Sequence, residues 1–268
     1  MPYRIIDMFQ MGPFHIRTWG FMVGIGIAAG LFIAAAAARR RGLSTDKLYL
    51  LAFIGVIAGI FGSRIGWAVQ PSEIGETIAH PLRLISVWQP GLTLVGGLVV
   101  GFGAAIIYAW RARVPLRRTF DAVAVGLGPT IAIGRIGCYL TGLHPGRPTS
   151  LPWGIEFLGA VRHPIPLYES LLGVALFAFA LVLYRRRLPA GIVALSGGAF
   201  YLVGRSLLDL LRATGVSGSD PRLLAGLTLT QTVALFMIPA MAVGLYWVTR
   251  RKKPITPLPP DGPVTARL

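Results

Sequence analysis

Charge is scarce in this sequence, and negative charge scarcest: 13% of the 268 residues are charged, with 10 Asp plus Glu against 26 Lys plus Arg. So thin a polar complement, beside 54% hydrophobic residues and a mean hydropathy of +0.66, excludes an ordinary soluble domain and points to a polytopic membrane protein. Cysteine is nearly absent. The single Cys138 excludes an internal disulfide and a metal site built on cysteines. The net charge of +16 would suggest nucleic acid if the basic residues lay along one face. They sit instead in short clusters at the ends of apolar runs, which is the pattern of membrane topology and not of a nucleic-acid binder.

What is present in abundance is hydrophobic length. Seven apolar segments approach the roughly 20 residues that cross a bilayer: Thr18–Ala38, Leu48–Val69, Gly91–Trp110, Phe120–Leu140, Ile165–Tyr184, Ala190–Leu211 and Leu224–Val248. The first is followed by its basic cluster, Arg39 to Arg41, and by no small-residue cleavage pattern, so it reads as a retained helix and not a signal peptide. The expected fold is therefore all-α, with seven transmembrane helices. Loops rich in Lys and Arg stay cytoplasmic. One alternate set of loops, with the tail, holds 16 basic residues and the other holds 7, which places the N-terminus outside and the C-terminus in the cytoplasm. Residues 1–253 form the expected membrane domain, and the proline-rich segment 254–268 is expected to be a disordered tail. Glycines four apart, such as Gly55 and Gly59 or Gly62 and Gly66, allow close helix packing.

Five ionisable residues fall within or at the edge of these spans: Arg64, Arg135, Glu169, Arg205 and Asp209. An ionised side chain in hydrocarbon costs several kcal/mol unless it is met by another. In the expected topology all five lie toward the outer face, which implies a shared polar cavity. Arg205 and Asp209, four apart on one helical face, can neutralise each other. Three arginines against two carboxylates still leave an excess positive charge, and arginine is the side chain best shaped to grip phosphate. A cavity near the outer leaflet meets phospholipid headgroups first. Read from its residues alone, the chain binds an anionic membrane lipid.

The outer loops supply His144 and Arg147 in LHPGRP, Trp153 in LPWG, and Arg162, His163 and Tyr168 in RHPIPLYE. Tyr and Trp there suit the membrane interface. Either imidazole titrates near neutrality and is a candidate general base. Cys138 reads as a small buried hydrophobe.

The order and spacing of GSRIG at Gly62–Gly66, GLTLVGGLVVG from Gly91, GRIG followed by GRPTSLPWGIEF, RHPIPLYE, GRSLLDLLR from Gly204 and LTLTQ from Leu227 resemble the bacterial prolipoprotein diacylglyceryl transferases over most of the chain. The resemblance implies an enzyme of the bacterial inner membrane that moves the diacylglyceryl group of phosphatidylglycerol to the lipobox cysteine of a prolipoprotein signal peptide, with release of glycerol phosphate. It also implies no metal and no cofactor, and no ligand cluster in the sequence contradicts that. It implies that Arg135 and Arg205 clamp the phosphate, that Asp209 stands where the family has glutamate, and that the lipid meets Arg64, Gly96, Gly97, Gly134, Gly137, Arg147, His163, Tyr168 and Glu169. Many members carry histidine where this chain has Val95, the signature asparagine is here Cys138, and a glutamate a few residues later is Leu143. With no histidine at Val95, His144 becomes the first candidate to deprotonate the incoming thiol and His163 the second. A non-catalytic relative that binds anionic phospholipid and scaffolds a partner is the alternative. A small-solute transporter ranks last, because seven spans show no inverted repeat.

Overall fold

The computed structural model describes residues 4–11, 14–86, 91, 93–186, 188–215 and 226–250. In chain order these form β1 (Met8–Met11), β2 (Phe14–Arg17), α1 (Thr18–Arg40), α2 (Thr45–Ala68), α3 (Ile74–Ala79), a 3-10 turn (Pro81–Leu84), α4 (Leu94–Arg111), α5 (Leu116–Leu140), β3 (Ile155–Phe157), β4 (Ala160–Arg162), α6 (Ile165–Arg185), α7 (Ile192–Asp209) and α8 (Leu229–Arg250). Six helices, α1, α2, α5, α6, α7 and α8, are long and apolar enough to cross a membrane, and α4 is a shorter apolar helix. The expected third span thus starts at Leu94 and not at Gly91. Its 18 residues reach about 27 Å at 1.5 Å per residue, slightly less than a hydrocarbon core. The tail beyond Arg250 lies outside the described residues.

The architecture is helical, and two short antiparallel hairpins among the described residues, β1 with β2 and β3 with β4, lie outside the long helices. The second pairs Ile155 with Arg162 and Phe157 with Ala160 across the turn Leu158–Gly159. Both turn residues have positive φ, 51° and 73°, as a two-residue hairpin turn that follows the strand twist requires. Three-residue strands carry too short an alternation to stand out in a sequence this apolar.

The chain divides into two units, one made of residues 1–42 and 120–268 and the other of Leu43–Thr119. In the second unit α2 and α4 meet backbone to backbone. A Cβ placed on Gly96 would lie 2.3 Å from the Gly62 carbonyl oxygen, and one on Gly97 2.2 Å from the Ser63 hydroxyl. Ser44 caps α2 by accepting from the Lys47 N–H at 3.3 Å.

In the larger unit α1 packs on α5 through Gly30 and Gly126, and α5 on α6 through Gly128 and Gly173, at separations that admit no side chain. The interior is lined with small residues, including Ala34, Ala35, Ala122, Ala124 and Ala180. Large apolar side chains point outward instead: Phe32, Leu171, Leu235, Phe236 and Trp247 are all more than half exposed. Such a surface is a liability in water and is the natural exterior of a protein dissolved in lipid. Asp121 on α5 accepts from the N–H groups of Gly191 and Ala194, at 2.9 Å each, and so satisfies the start of α7.

Candidate functional site

Glu169 is the centre around which the polar interior of the larger unit is arranged. The RHPIPLYE segment starts α6 with Pro166 in its first turn, where a missing N–H costs nothing. That start carries Glu169 into a position with no solvent exposure. Three arginines converge on it. Arg135, late in α5, places Nη1 2.9 Å from Oε2; Arg205 of α7 places Nε 3.1 Å from Oε1; and Arg212, just past the end of α7, places Nη2 2.7 Å from the same oxygen.

Asp209, also fully buried, forms the second layer. Its Oδ1 contacts Arg205 Nη1 and, at 3.1 Å, Arg212 Nε. Its Oδ2 accepts from the Thr228 hydroxyl at 2.5 Å. Thr228 in turn accepts from the Gln231 N–H, and Gln231 Oε1 accepts from the Thr228 N–H, both at 3.1 Å, which is a capping box for α8. Gln231 Nε2 also donates to the Ser206 carbonyl of α7 at 3.2 Å. The LTLTQ motif therefore starts a helix and locks one carboxylate with the same hydroxyl.

Arg212 is held by the loop after α5. Arg147 N–H donates to the Leu211 carbonyl at 2.8 Å and Ala213 N–H to the Pro145 carbonyl at 3.0 Å, so that Gly146 and Arg212 face each other as a short antiparallel bridge. His144, with φ of 58°, turns its ring toward the cluster, with Nδ1 3.2 Å from Arg212 Nη1. A guanidinium only donates, so Nδ1 is the acceptor here and the ring proton belongs on Nε2. His144 and Trp19 of α1 both interact with the thiol of Cys138.

The side chains of Arg205 and Arg212 are 6% and 2% exposed, whereas that of Arg135 is 21% exposed. Burial pulls the Arg212 guanidinium below its ordinary range, and the Glu169 carboxylate opposes that pull. Three guanidinium groups share two carboxylates, and the excess positive charge has its most accessible outlet at Arg135, which also bonds Tyr201. The arrangement suits an anionic group presented to Arg135 from outside the cluster.

The prolipoprotein diacylglyceryl transferase family matches residues 7–247, nearly the whole chain. The chain belongs to that family. Its relatives include the proteins named phosphatidylglycerol–prolipoprotein diacylglyceryl transferase from a Nostoc species, 32% identical over 94% of this chain and 92% of the relative, and from Geobacter sulfurreducens, 34% identical over 79% and 84%. The same name is carried by a Trichormus variabilis protein, 32% identical over 92% of this chain and 90% of that protein.

Membership in the family sharpens the reading of the individual residues. Arg135, Glu169, Arg205, Asp209 and His144 come together in the larger unit. Arg212 is the residue that sequence reasoning missed, because it was counted among the outer-loop charges. The signal was available: Asp209 and Arg212 are three apart, one helical turn. Within the larger unit the third arginine on Glu169 is Arg212. Within its own unit Arg64 is fully buried, donates to the carbonyls of Arg83 at 2.7 Å and Gly91 at 3.0 Å, and lies over the Trp67 ring. Gly96 and Gly97 turn their open face to α2, as described, and Gly137 does the same to α1, where a Cβ would lie 2.7 Å from Met22 Cβ. Close helix packing accounts for these three glycines. Gly134 differs, since a Cβ there would meet only Val23 at 3.9 Å. Arg147 is exposed, and its Nε lies 3.4 Å from the Arg212 carbonyl. His163 and Tyr168 form a separate group: Tyr168 Oη is 3.3 Å from His163 Nδ1 and accepts from Trp153 Nε1 at 2.7 Å. Of the three departures from the family, Cys138 is buried against His144, while Leu143 and Val95 are exposed.

Proposed function

We propose that this protein transfers the diacylglyceryl group of phosphatidylglycerol to the lipobox cysteine of prolipoprotein signal peptides in the bacterial inner membrane. The observation that carries the reading is Arg135, the most exposed guanidinium of a buried cluster with more arginines than carboxylates, in a chain of this family. The thiolate sulfur attacks the glycerol carbon that bears the phosphate ester. The carbon–oxygen bond breaks, its electron pair stays on the phosphate oxygen, and glycerol phosphate leaves as the thioether forms. Arg135 stabilises the charge gathering on that oxygen. Arg205 and Arg212, enclosed by Glu169 and Asp209, hold the cluster in place and supply positive potential, a change from the expectation that Arg205 grips the phosphate directly.

A free thiol has a pKa near ~8.5 and is mostly protonated at neutral pH. His144 already turns its accepting nitrogen to Arg212, and Glu169 and Asp209 are each enclosed by arginines. Positive potential from the cluster favours the thiolate instead, and the thiol proton passes to water or to the leaving phosphate. His163 sits with Tyr168 and serves the rim.

With α4 taken as the third of seven spans, the distribution of 16 basic residues against 7 supports an outer N-terminus and a cytoplasmic C-terminus. Residues 1–253 constitute the transferase domain. The test of function is rescue of a strain depleted of its own transferase. The parent chain should restore growth and lipoprotein maturation, and Arg135→Gln, at equal abundance, should not. A parent chain that binds phosphatidylglycerol yet fails both in rescue and in transfer with purified components would establish the alternative. That outcome would trace to Cys138 and Leu143 in place of the family's asparagine and glutamate.

A further inference from the structure

A second basic site lies at the other end of the same helices. A cavity of about 340 Å³ opens between the C-terminal ends of α1 and α6 and the N-terminal half of α5, lined by Arg40, Arg41, Arg185, Tyr184 and an apolar wall that includes Ile33 and Phe177. From Val125 on its wall to Arg135 is ten residues of α5, about 15 Å, and from Tyr184 back to Glu169 is fifteen residues of α6, about 22 Å, so this cavity is distinct from the Glu169 cluster.

Its floor is built with care for one guanidinium. Arg41, whose side chain is 8% exposed, lies over the Tyr184 ring at 3.6 Å and donates through Nη2 to the Tyr184 carbonyl at 2.7 Å. Tyr184 is itself anchored through its hydroxyl to the Ala37 carbonyl at 2.7 Å. The nearest carboxylate, Asp121, lies 3.5 Å from Arg41 Nη1 but is committed to the N–H groups of Gly191 and Ala194. Nη1 is buried and has no hydrogen-bond acceptor. A buried charged donor left in that state costs free energy that an incoming anion would recover. Arg40 and Arg185 stand exposed at the rim, so three guanidinium groups face one occupied carboxylate, above apolar walls.

We propose that this cavity binds the phosphate of an anionic phospholipid, with Arg41 at its base, Arg40 and Arg185 at its rim, and the acyl chains along Ile33 and Phe177. Basic pockets between helices at a membrane surface hold anionic headgroups by this combination of charge and apolar wall. The site is independent of the transferase reading, since none of its residues touches the Glu169 cluster.

The test uses the full chain in phosphatidylcholine nanodiscs, with photoactivatable phosphatidylglycerol and phosphatidylcholine probes and mapping of the labelled segments. Phosphatidylglycerol should label the Ile33–Arg41 and Phe177–Arg185 segments in preference to phosphatidylcholine. Arg40→Gln with Arg185→Gln, both at exposed positions, should cut that labelling between about five- and thirty-fold, the effect of one or two basic groups near a headgroup. Labelling around Arg135 should not change in the double variant, which separates this site from the proposed active site. Equal labelling by both probes, or undiminished labelling in the double variant, overturns the proposal. Displacement by millimolar glycerol phosphate would assign the site to a soluble phosphate and overturn the lipid assignment.

Discussion

Replacing Glu169 by Gln isolates the electrostatics of the cluster with almost no change of shape. The amide oxygen in the Oε1 position still accepts from Arg205 and Arg212, at 3.1 and 2.7 Å in the parent. The amide nitrogen in the Oε2 position then faces Arg135 Nη1, a donor against a donor at 2.9 Å. The cluster passes from three guanidinium groups and two carboxylates to three and one. Breaking a fully buried pair costs about 3–5 kcal/mol, and because Arg135 can turn its guanidinium outward, the lower end, about 3 kcal/mol, applies here. For a protein of this size that is a fall in Tm of roughly 6–12 °C. The assay is thermal unfolding of the purified protein in detergent, with and without glycerol phosphate. Added anion should recover more Tm in Glu169→Gln than in the parent, because the variant carries the larger positive excess. Adding Arg135→Gln to Glu169→Gln restores the original charge balance and should return part of the lost Tm, a coupling read from the double-mutant cycle. A Tm within about 2 °C of the parent in Glu169→Gln, or strict additivity in the double variant, would refute the view that this carboxylate holds the three arginines together.

Other consequences follow from the same geometry. Arg135→Lys keeps the charge but loses the planar fork, and should lower transfer by roughly a hundredfold at unchanged abundance, measured with purified components. His144→Gln keeps an acceptor for Arg212 without a titrating nitrogen; it should retain most activity and the parent pH profile, whereas His144→Leu should lose activity at every pH. If His144→Gln abolishes a limb of the profile near neutrality, the imidazole is the base after all. Thr228→Val removes both a helix cap and the bond to Asp209, and should cost about 2 kcal/mol or more of stability in the same thermal assay. A reporter at the C-terminal end should prove cytoplasmic and a tag at Ser72 accessible from outside; both on one side would remove the seven-span topology.

Membrane class and most helix positions were legible in the sequence, because a bilayer demands long apolar segments whose backbone bonds close internally, and composition alone records that demand. The glycine spacings of α2 and α4 were legible as packing for a similar reason, since a missing side chain every fourth residue can only mark one close face. The family motifs, read in order, located Arg135, Glu169, Arg205 and Asp209. Which charge meets which was not legible. Sequence depth grouped Arg64 with the outer charges but could not show that the carbonyls of Arg83 and Gly91 accept from it. Arg212 looked like one more loop charge, and only the bridge between Gly146 and Arg212, residues far apart in the chain, turns it into the cluster. His144 was legible as an available imidazole, but whether its lone pair is free depends on the Arg212 guanidinium opposite it. Burial of a helix is a property of the segment, summed over twenty side chains, and the sequence determines it alone. The pairing of a charge is a property of two atoms within about 3 Å, and only the tertiary structure decides which segments bring them there.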